Sequence, residues 1–306
     1  MTETVGQESG KPVASGGERS DVVSSRQVRI LPRGHYIQTR MKDQTDVKAR
    51  IAVHVATHYV RDFNAILLDA GSTAELIANE MFARRRFISV LTNNMGAYAS
   101  FTRALADMRR SAGEQGDPYT DSLDPVHGNE LLITGGRYVD TYEALLGGTT
   151  IESVKPFTPN VTIIGISGLR SDEGVFCHGE EEASVKNLLW TKPTDIRLIA
   201  TDWSKIGKRD AHIFGRFNEF CVNAKQAVLV TSNPPDSISP KALEDFEEQI
   251  NKIKNSKVEI VRLDIADDEQ AAIKCADTKE AAAGATASTR ASAKSGSAPL
   301  RSANAR

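Results

Sequence analysis

The sequence predicts an α/β protein in which a Rossmann-like parallel sheet is flanked by helices. Two observations indicate this fold. Short β-branched runs alternate with amphipathic stretches, and the runs are apolar at consecutive positions, as at 66–68 and 161–164, which is typical of strands buried on both faces. The alternating segments are, in chain order, 48–60, 65–70, 75–82, 87–92, 97–108, 131–134, 161–166, 182–190, 196–201, 227–231, 242–253 and 257–263.

The composition limits the size of the core and the class of partner. The 306 residues are 40% hydrophobic, so we expect one folded domain with tails. Lys and Arg number 38 against 40 Asp and Glu, which gives a formal charge of −2. No overall basic surface for nucleic acid or an anionic membrane is encoded, so any anion site must be local.

The cysteines and the apolar runs exclude several other classes of protein. Cys177, Cys221 and Cys275 lie far apart and form no C-x-x-C pair, so the sequence predicts neither a zinc site nor a disulfide framework. The first residues are polar, and no stretch approaches the ~18 apolar residues of a membrane span. We expect a cytoplasmic protein with no metal, no cofactor and no membrane contact.

The chain divides into four segments. Residues 1–25 and 276–306 contain almost no large apolar side chains, so they cannot offset the entropy cost of ordering and are predicted to be disordered tails. Residues 26–44 are a connecting segment, and 45–265 form the folded domain. Within it, residues 109–129 interrupt the alternation with Gly, Pro and Asp, and this insertion is either a functional lid or a mobile surface loop.

Small and hydroxyl-bearing residues follow several predicted strands. The carboxyl ends of parallel strands share one edge of an open sheet, where ligands collect at the switch in strand order. We therefore expect these loops to converge on one ligand. Taken singly, the glycine pair also fits a tight turn and the Ser-Gly pair a strand exit. The candidates are Asp69, Gly71, Ser72 and Thr73, then Thr92 and Asn93, then Gly135 and Gly136, and then Ser167 and Gly168.

The loop at 69–73 has the features of an anion site. Gly71 allows close approach of the backbone, while Ser72 and Thr73 stand where a helix begins. Unpaired N–H groups and the helix dipole favour a phosphate at such a position. A simple helix cap is the alternative interpretation of the two hydroxyls.

Charged residues farther along the chain strengthen the phosphate hypothesis. Lys205 lies in an Asp-x-Ser-Lys-x-Gly turn directly after the strand at 196–201, where a cation has little structural reason to stand unless it meets an anion. Glu182 and Lys186 are four residues apart on a predicted helix. They form either an exposed pair or part of the site.

An ordered set of short motifs runs along the domain. They are K-x-x-I-A at 48–52, LDAGST at 68–73, LTNN at 91–94, ITGG at 133–136, GISG at 165–168, EEASVK at 181–186 and DWSKIG at 202–207. From about residue 45 to 235, this order resembles the C-terminal sensor domain of DeoR-type bacterial regulators. The resemblance lies in the ordered set, since no single motif is specific.

The resemblance implies a fold, a ligand and a pocket. The fold would be related to ribose-phosphate isomerases and CoA-transferases, and the ligand would be a phosphorylated sugar or a related metabolite. Carried over by position, the pocket would be lined by the strand-end residues named above together with Glu181, Lys186, Asp202 and Lys205. The role would be transcriptional regulation through changes in a homo-oligomer or a partner.

The chain also departs from the family. A winged helix-turn-helix usually precedes this domain, but few residues precede Lys48, so we expect no DNA-reading helix and no direct specific contact with DNA. Trp203 stands where the family often has His or Ser, and residues 176–178 stand where it often has Thr-Thr-Pro. The identity of the sugar phosphate therefore stays open. For His178, a structural hydrogen bond to a carboxylate is favoured over a role as proton carrier.

Three functions fit these residues. The first is a sensor, which needs no catalytic residue and is the preferred hypothesis. The second is a phosphosugar isomerase or hydrolase in which Glu181 or Asp202 abstracts a proton while Lys205 stabilises the oxyanion. The third is a partner-binding protein whose pocket is vestigial.

Overall fold

A computed structural model describes residues 35–114, 128–254 and 256–264. The helices are α1 (His35–Lys42), α2 (Thr45–His58), α3 (Ser72–Arg84), α4 (Met95–Glu114), α5 (Gly148–Val154), α6 (Glu180–Thr191) and α7 (Pro240–Lys254). The strands are β1 (Ala65–Leu68), β2 (Ser89–Thr92), β3 (Glu130–Ile133), β4 (Arg137–Val139), β5 (Ala144–Leu146), β6 (Val161–Ile164), β7 (Gly168–Arg170), β8 (Gly174–Cys177), β9 (Thr194–Ala200), β10 (His212–Gly215), β11 (Ala224–Ser232) and β12 (Glu259–Leu263).

Seven parallel strands form the main sheet, in the order β12-β11-β9-β6-β1-β2-β3. The predicted α/β class is therefore confirmed. From β1 the chain builds outward through β2 and β3, and then it returns to the other side of β1 to add β6, β9, β11 and β12. The strand order thus reverses between β1 and β6, which is where ligands bind in sheets of this kind.

The main strands are buried on both faces because helices cover each side of the sheet. In β1, Ile66 and Leu68 pack in the core that contains α2 and α3, whereas Leu67 packs in the core that contains α6 and α7. In β6, Ile163 and Ile164 divide in the same way. Since successive side chains of a strand point to opposite faces, both predicted runs are confirmed as buried strands.

Two small antiparallel units extend the fold beyond the alternation that the sequence predicts. Strands β4 and β5 pair as a hairpin, and β10, β8 and β7 form a three-stranded sheet. Gly136 precedes the hairpin with φ of 133°, and a Cβ there would clash with the Thr150 hydroxyl. The ITGG motif therefore needs glycine at this position for backbone conformation and close packing.

The structure also revises two segment boundaries. α4 continues to Glu114, so residues 109–114 of the predicted insertion are helical. Its remainder up to residue 127 lies outside the described residues, as do the predicted tails. The connecting segment contains a helix from His35 onward.

Lys48, the lysine of the K-x-x-I-A motif, joins α1 to α2. Its side chain is buried, and its ammonium donates to the carbonyls of Arg40 and Asp43 at the end of α1. Carbonyls at a helix C-terminus lack partners within the helix, and a cation there is favoured by the helix dipole. Burial lowers the pKa of Lys48 to about 8.

Arg197 in β9 holds together the segments that precede β9 and β11. It is 0% exposed. Its Nη1 donates to the carbonyls of Phe220 and Val222, at 2.9 and 2.6 Å. Its Nη2 donates to the carbonyl of Lys192, directly after α6, at 2.7 Å. Three backbone acceptors therefore depend on one guanidinium.

Replacing Arg197 with methionine is expected to lower the free energy of unfolding by about 3 kcal/mol, because three backbone carbonyls lose a charged donor, one of them in a buried and two in part-buried hydrogen bonds. Urea unfolding followed by circular dichroism measures the change. The matched control is Lys225→Met, since Lys225 pairs with Asp195 but its side chain is 82% exposed; a loss below ~1 kcal/mol is expected. Equal losses in the two variants would contradict the role given to Arg197.

The buried Lys48 is expected to make the fold more stable as the pH rises from 8 towards 10.5. In this range the unfolded chain binds a proton that the folded chain does not, so unfolding becomes less favourable. Between pH 7.5 and 9.0 this contribution amounts to about 1 kcal/mol. Urea unfolding of the parent and of Lys48→Met at both pH values isolates it, and identical pH dependence in the two proteins would exclude it.

Candidate functional site

A cleft opens where the strand order reverses, at the carboxyl ends of β1 and β6. The empty space among its walls is about 260 Å³ with the part open to solvent included, but the room it leaves for water-sized atoms is only about 10 Å³, so its walls must move apart to admit a ligand larger than a water molecule. The walls come from four parts of the chain: residues 70–74 after β1, Gly165 and Ile166 after β6, Glu182 and Lys186 of α6, and Arg40 of α1.

A buried ion pair joins the loops that form this cleft. The ammonium of Lys186 contacts the carboxylate of Asp69, and the two side chains are 2% and 1% exposed. The same ammonium donates to the carbonyl of Gly165 at 2.8 Å and lies 3.5 Å from a carboxylate oxygen of Glu182. Burial alone would lower the pKa of Lys186, but the carboxylates of Asp69 and Glu182 outweigh it and raise the pKa.

A second contact of the same Asp69 oxygen fixes the relative position of the two strand ends. The backbone N–H of Gly165 donates to Asp69 Oδ2 at 3.0 Å. Asp69 itself directly follows β1, and Gly165 directly follows β6. The carboxylate therefore bridges the two strands at the point where the sheet order switches.

The N-terminus of α3 faces the cleft without a side-chain cap. Gly71 occupies the cap position with φ of 135° and contributes no capping hydrogen bond. Ser72 is 1% exposed, and its hydroxyl finds no hydrogen-bond partner within the described residues. A buried hydroxyl is normally paired. The first turn of α3 thus offers N–H groups, a dipole and one unpaired hydroxyl to an anion.

Arg40 brings a second cation to the cleft. Its Nη2 donates to the carbonyl of Ile166 at 3.0 Å, and its guanidinium lies over the ring of Tyr36, 5.6 Å from the centroid. Because α1 falls within the segment predicted as a connection, sequence analysis did not identify this residue.

An aromatic cluster lies beside the cleft. Tyr36 and Tyr142 line a second small space, with about 10 Å³ of room for water-sized atoms, that shares Arg40, Gly71 and Glu182 with the first. The Tyr36 ring stacks on His178, with centroids 5.1 Å apart. Nδ1 of His178 lies 3.3 Å from a carboxylate oxygen of Asp210.

The polar side chains of the LTNN motif at 91–94 form hydrogen bonds with loops near the cleft. Thr92 accepts a hydrogen bond from the backbone N–H of Asn94 at 3.0 Å, and the Asn94 side chain donates to the carbonyl of Gly71 at 3.2 Å. Asn93 donates to the carbonyl of Leu145 at 3.1 Å. Thr92 and Asn93 therefore position loops and do not line the cleft.

The ITGG and GISG residues are also engaged with the backbone. Gly135 is bonded through its N–H and its carbonyl to the side chains of Ser153 and Thr150 in α5. Ser167 donates its hydroxyl to the carbonyl of Phe176 at 3.0 Å. A Cβ on Gly168 would approach the Lys208 carbonyl. Together with Gly136, these residues shape the loops around the cleft.

Three charged candidates lie away from the cleft walls. Glu181 pairs with Arg137, and its side chain is 53% exposed. Asp202 is buried and accepts a hydrogen bond from the N–H of Ser204 at 3.0 Å. Lys205 lies 3.6 Å from a carboxylate oxygen of Asp43.

Of the residues predicted from sequence, four line the cleft: Gly71, Ser72, Thr73 and Lys186. Asp69 does not line it but forms an ion pair with Lys186. Glu182 takes the place expected for Glu181. The sequence spacing favours Glu182 over Glu181, because residues four apart on a helix share a face, as Glu182 and Lys186 do.

The described residues contain no group of three or more His, Cys, Asp or Glu side chains able to hold a metal ion. Burial raises the pKa of Cys177 to about 12, so this thiol stays protonated at neutral pH. In the part of the chain that the structure describes, no helix has the length and apolar character needed to cross a membrane.

Solved structures with similar folds include ribose 5-phosphate isomerase from Plasmodium falciparum, with a TM-score of 0.33, 12% identity and coverage of 52% of each chain. Another is eIF2B beta from Chaetomium thermophilum, with a TM-score of 0.32, 14% identity and coverage of 57% of this chain and 43% of the other. The chain spans about half the length of these structures.

Sequence relatives are transcriptional repressors. The HTH-type transcriptional repressor GlcR of Bacillus subtilis (strain 168) is 25% identical over 206 residues, which are 66% of this chain and 69% of the relative. The glycerol-3-phosphate regulon repressor of Escherichia coli (strain K12) is 24% identical over 199 residues, which are 65% and 67%. Residues 119–223 match the family model described as the DeoR C terminal sensor domain.

Proposed function

We propose that this protein senses a small phosphorylated metabolite in the cleft between β1 and β6 and acts in transcriptional regulation. The observation that carries the proposal is the Ser72 hydroxyl, buried without a hydrogen-bond partner in the described residues, at the uncapped start of a helix that faces the cleft. An unpaired buried hydroxyl costs stability unless a ligand satisfies it.

The chemistry of the cleft suits a phosphate group at the start of α3. The N–H groups and the dipole of the first turn attract an anion, and Gly71 lets the anion approach the backbone because no atom lies within 4 Å of its absent Cβ. Arg40 and Lys186 add two positive charges, which Asp69 and Glu182 offset. The helix terminus therefore supplies the preference for an anion.

Glu182 favours a ligand that carries hydroxyl groups as well as phosphate. A carboxylate accepts hydrogen bonds and repels a second anion, so the part of the ligand near Glu182 must be neutral and must donate. Tyr36 and Tyr142 line the same small space and offer apolar ring surface. A phosphorylated sugar or polyol meets all three requirements.

The regulatory part of the proposal is supported by the sequence relatives, which are repressors, and one of them is named for a regulon of glycerol 3-phosphate. We propose that binding is reported through a change in a homo-oligomer or a partner in the cytoplasm. The expectation that the chain makes no specific contact with DNA stays a prediction, because residues 1–34 lie outside the described residues.

A thermal shift of the full chain is expected with at least one phosphorylated polyol among ribose 5-phosphate, fructose 6-phosphate and glycerol 3-phosphate. A ligand present at 100 times its Kd stabilises the folded state by about 2.7 kcal/mol. Ribose, fructose and glycerol are the controls and should leave Tm unchanged.

Failure of all three esters to raise Tm would overturn the proposed function. The same samples also test the enzyme hypothesis, because isomerisation of ribose 5-phosphate or fructose 6-phosphate can be followed directly. The sensor hypothesis predicts no turnover.

Ser72→Ala is expected to weaken binding of the best ester about tenfold, because a hydrogen bond to a charged group contributes ~1.5–3 kcal/mol. Folding should be retained, since the hydroxyl has no hydrogen-bond partner to lose among the described residues. Thr162→Val is the matched control: Thr162 also has a buried hydroxyl without a partner in the described residues, but it lies within β6 and does not line the cleft. Isothermal titration of both variants should weaken binding in Ser72→Ala alone, and parental affinity in Ser72→Ala would remove the hydroxyl from the site.

A further inference from the structure

We propose that Arg40 is a ligand-binding residue of the cleft and that α1, which carries it, is the segment whose order reports whether the cleft is occupied. The inference rests on the proposed function, because it requires an anion at the start of α3. It adds a residue and a responding element that lie outside the motifs of the sequence.

The contacts of Arg40 do not neutralise its positive charge. Its guanidinium meets the Ile166 carbonyl at 3.0 Å and the Tyr36 hydroxyl at 3.4 Å, both of which are neutral acceptors. Across the described ranges, it forms no salt bridge with a carboxylate. A guanidinium binds a phosphate through two parallel charged hydrogen bonds, which are stronger than bonds to neutral acceptors.

The position of Arg40 complements that of Ser72. Both side chains line the same cleft, and α1 packs against α3, which begins at Ser72. A phosphate at the start of α3 would satisfy the unpaired hydroxyl and give the guanidinium an anionic partner at the same time. Each group alone is a weak indication, and their convergence on one cleft supports a shared ligand.

The α1 helix is suited to respond because it is short and separate. Its eight residues are fewer than an isolated helix needs for stability, so its order depends on contacts with the rest of the protein. Gln44, with φ of 54°, separates it from α2. This left-handed residue stands between the two helices, and Lys48 of α2 binds the carbonyls of Arg40 and Asp43 across the break.

The contacts that hold α1 include the packing of Ile37, which is 3% exposed. Lys48 binds the carbonyls of Arg40 and Asp43, while the Asp43 carboxylate lies near Lys205. Towards the other end, Tyr36 packs against His178 and Tyr142. A ligand bound to Arg40 would add a charged contact to these, so we expect occupancy to order α1 more than it orders the strands of the core.

Hydrogen exchange of the full chain tests the inference, with glycerol 3-phosphate, fructose 6-phosphate and inorganic phosphate as probes and glycerol as the control. A bound ester should slow amide exchange across residues 36–42 at least about tenfold. In Arg40→Met, affinity for the ester should fall about tenfold or more, and at saturating ester the slowing across residues 36–42 should be lost while the first turn of α3 stays protected.

Arg85→Met is the matched control variant. Arg85 also donates to backbone carbonyls, those of Ala56 and Thr57, but it lies away from the cleft, so its replacement should leave affinity and the response of α1 at parental values. Arg40→Lys, which keeps the charge and loses the paired donors, should bind with intermediate affinity and covers the case in which Arg40→Met unfolds.

The outcomes separate the two proposals. If no ester binds the parent protein, the proposed function fails and this inference fails with it. If an ester binds and protects α3, but exchange across residues 36–42 is unchanged and the Arg40 variants bind as the parent does, the proposed function stands and this inference is overturned.

Discussion

The buried contact between Asp69 and Lys186 is the interaction on which the rest of the site depends. It joins the end of β1 to α6, and through Gly165 it also holds the end of β6. Removing two charges from water costs several kcal/mol per ion, and this cost is recovered only where further hydrogen bonds satisfy both groups. Gly165 supplies a donor to one carboxylate oxygen and an acceptor to the ammonium, while the other oxygen, Oδ1, has no hydrogen-bond partner within the described residues. The pair therefore fixes the separation of the two strand ends more than it adds to stability.

The reversal of strand order explains why this pair sits beside an opening. Helix α3 follows β1 and packs on one face of the sheet, whereas α6, which follows β8, packs on the other, so neither helix covers the space between the ends of β1 and β6. A crevice remains there in any sheet of this topology. What is particular to this chain is the polar lining, with Ser72 unpaired among the described residues and Glu182 beside Lys186. Ser72 is thus a lining residue whose hydroxyl has no partner in the described ranges, whereas Glu182 accepts hydrogen bonds from the N–H groups of His178 and Gly179.

The main sheet and its helices could be predicted from the sequence because their residues carry a strong local pattern. Every alternating segment named from the sequence falls on a helix or strand of the structure. The hairpin of β4 and β5 and the sheet of β7, β8 and β10 could not be predicted in the same way, since no amphipathic helical stretch separates β4 from β5 or β7 from β8. The helix at 35–42 is short, and its stability comes from tertiary contacts.

In the candidate site too, the residues that could be predicted are those whose role shows in the local sequence. Gly71 and Ser72 were identified because a glycine and a hydroxyl at the start of a helix have a local meaning. Arg40 has none, because it reaches Ile166 across 126 positions of sequence. The two walls of the cleft differ correspondingly in rigidity. One is anchored in the buried sheet through Asp69, whereas the other is a helix of eight residues, so we expect a ligand between them to change the order of the helix more than that of the sheet.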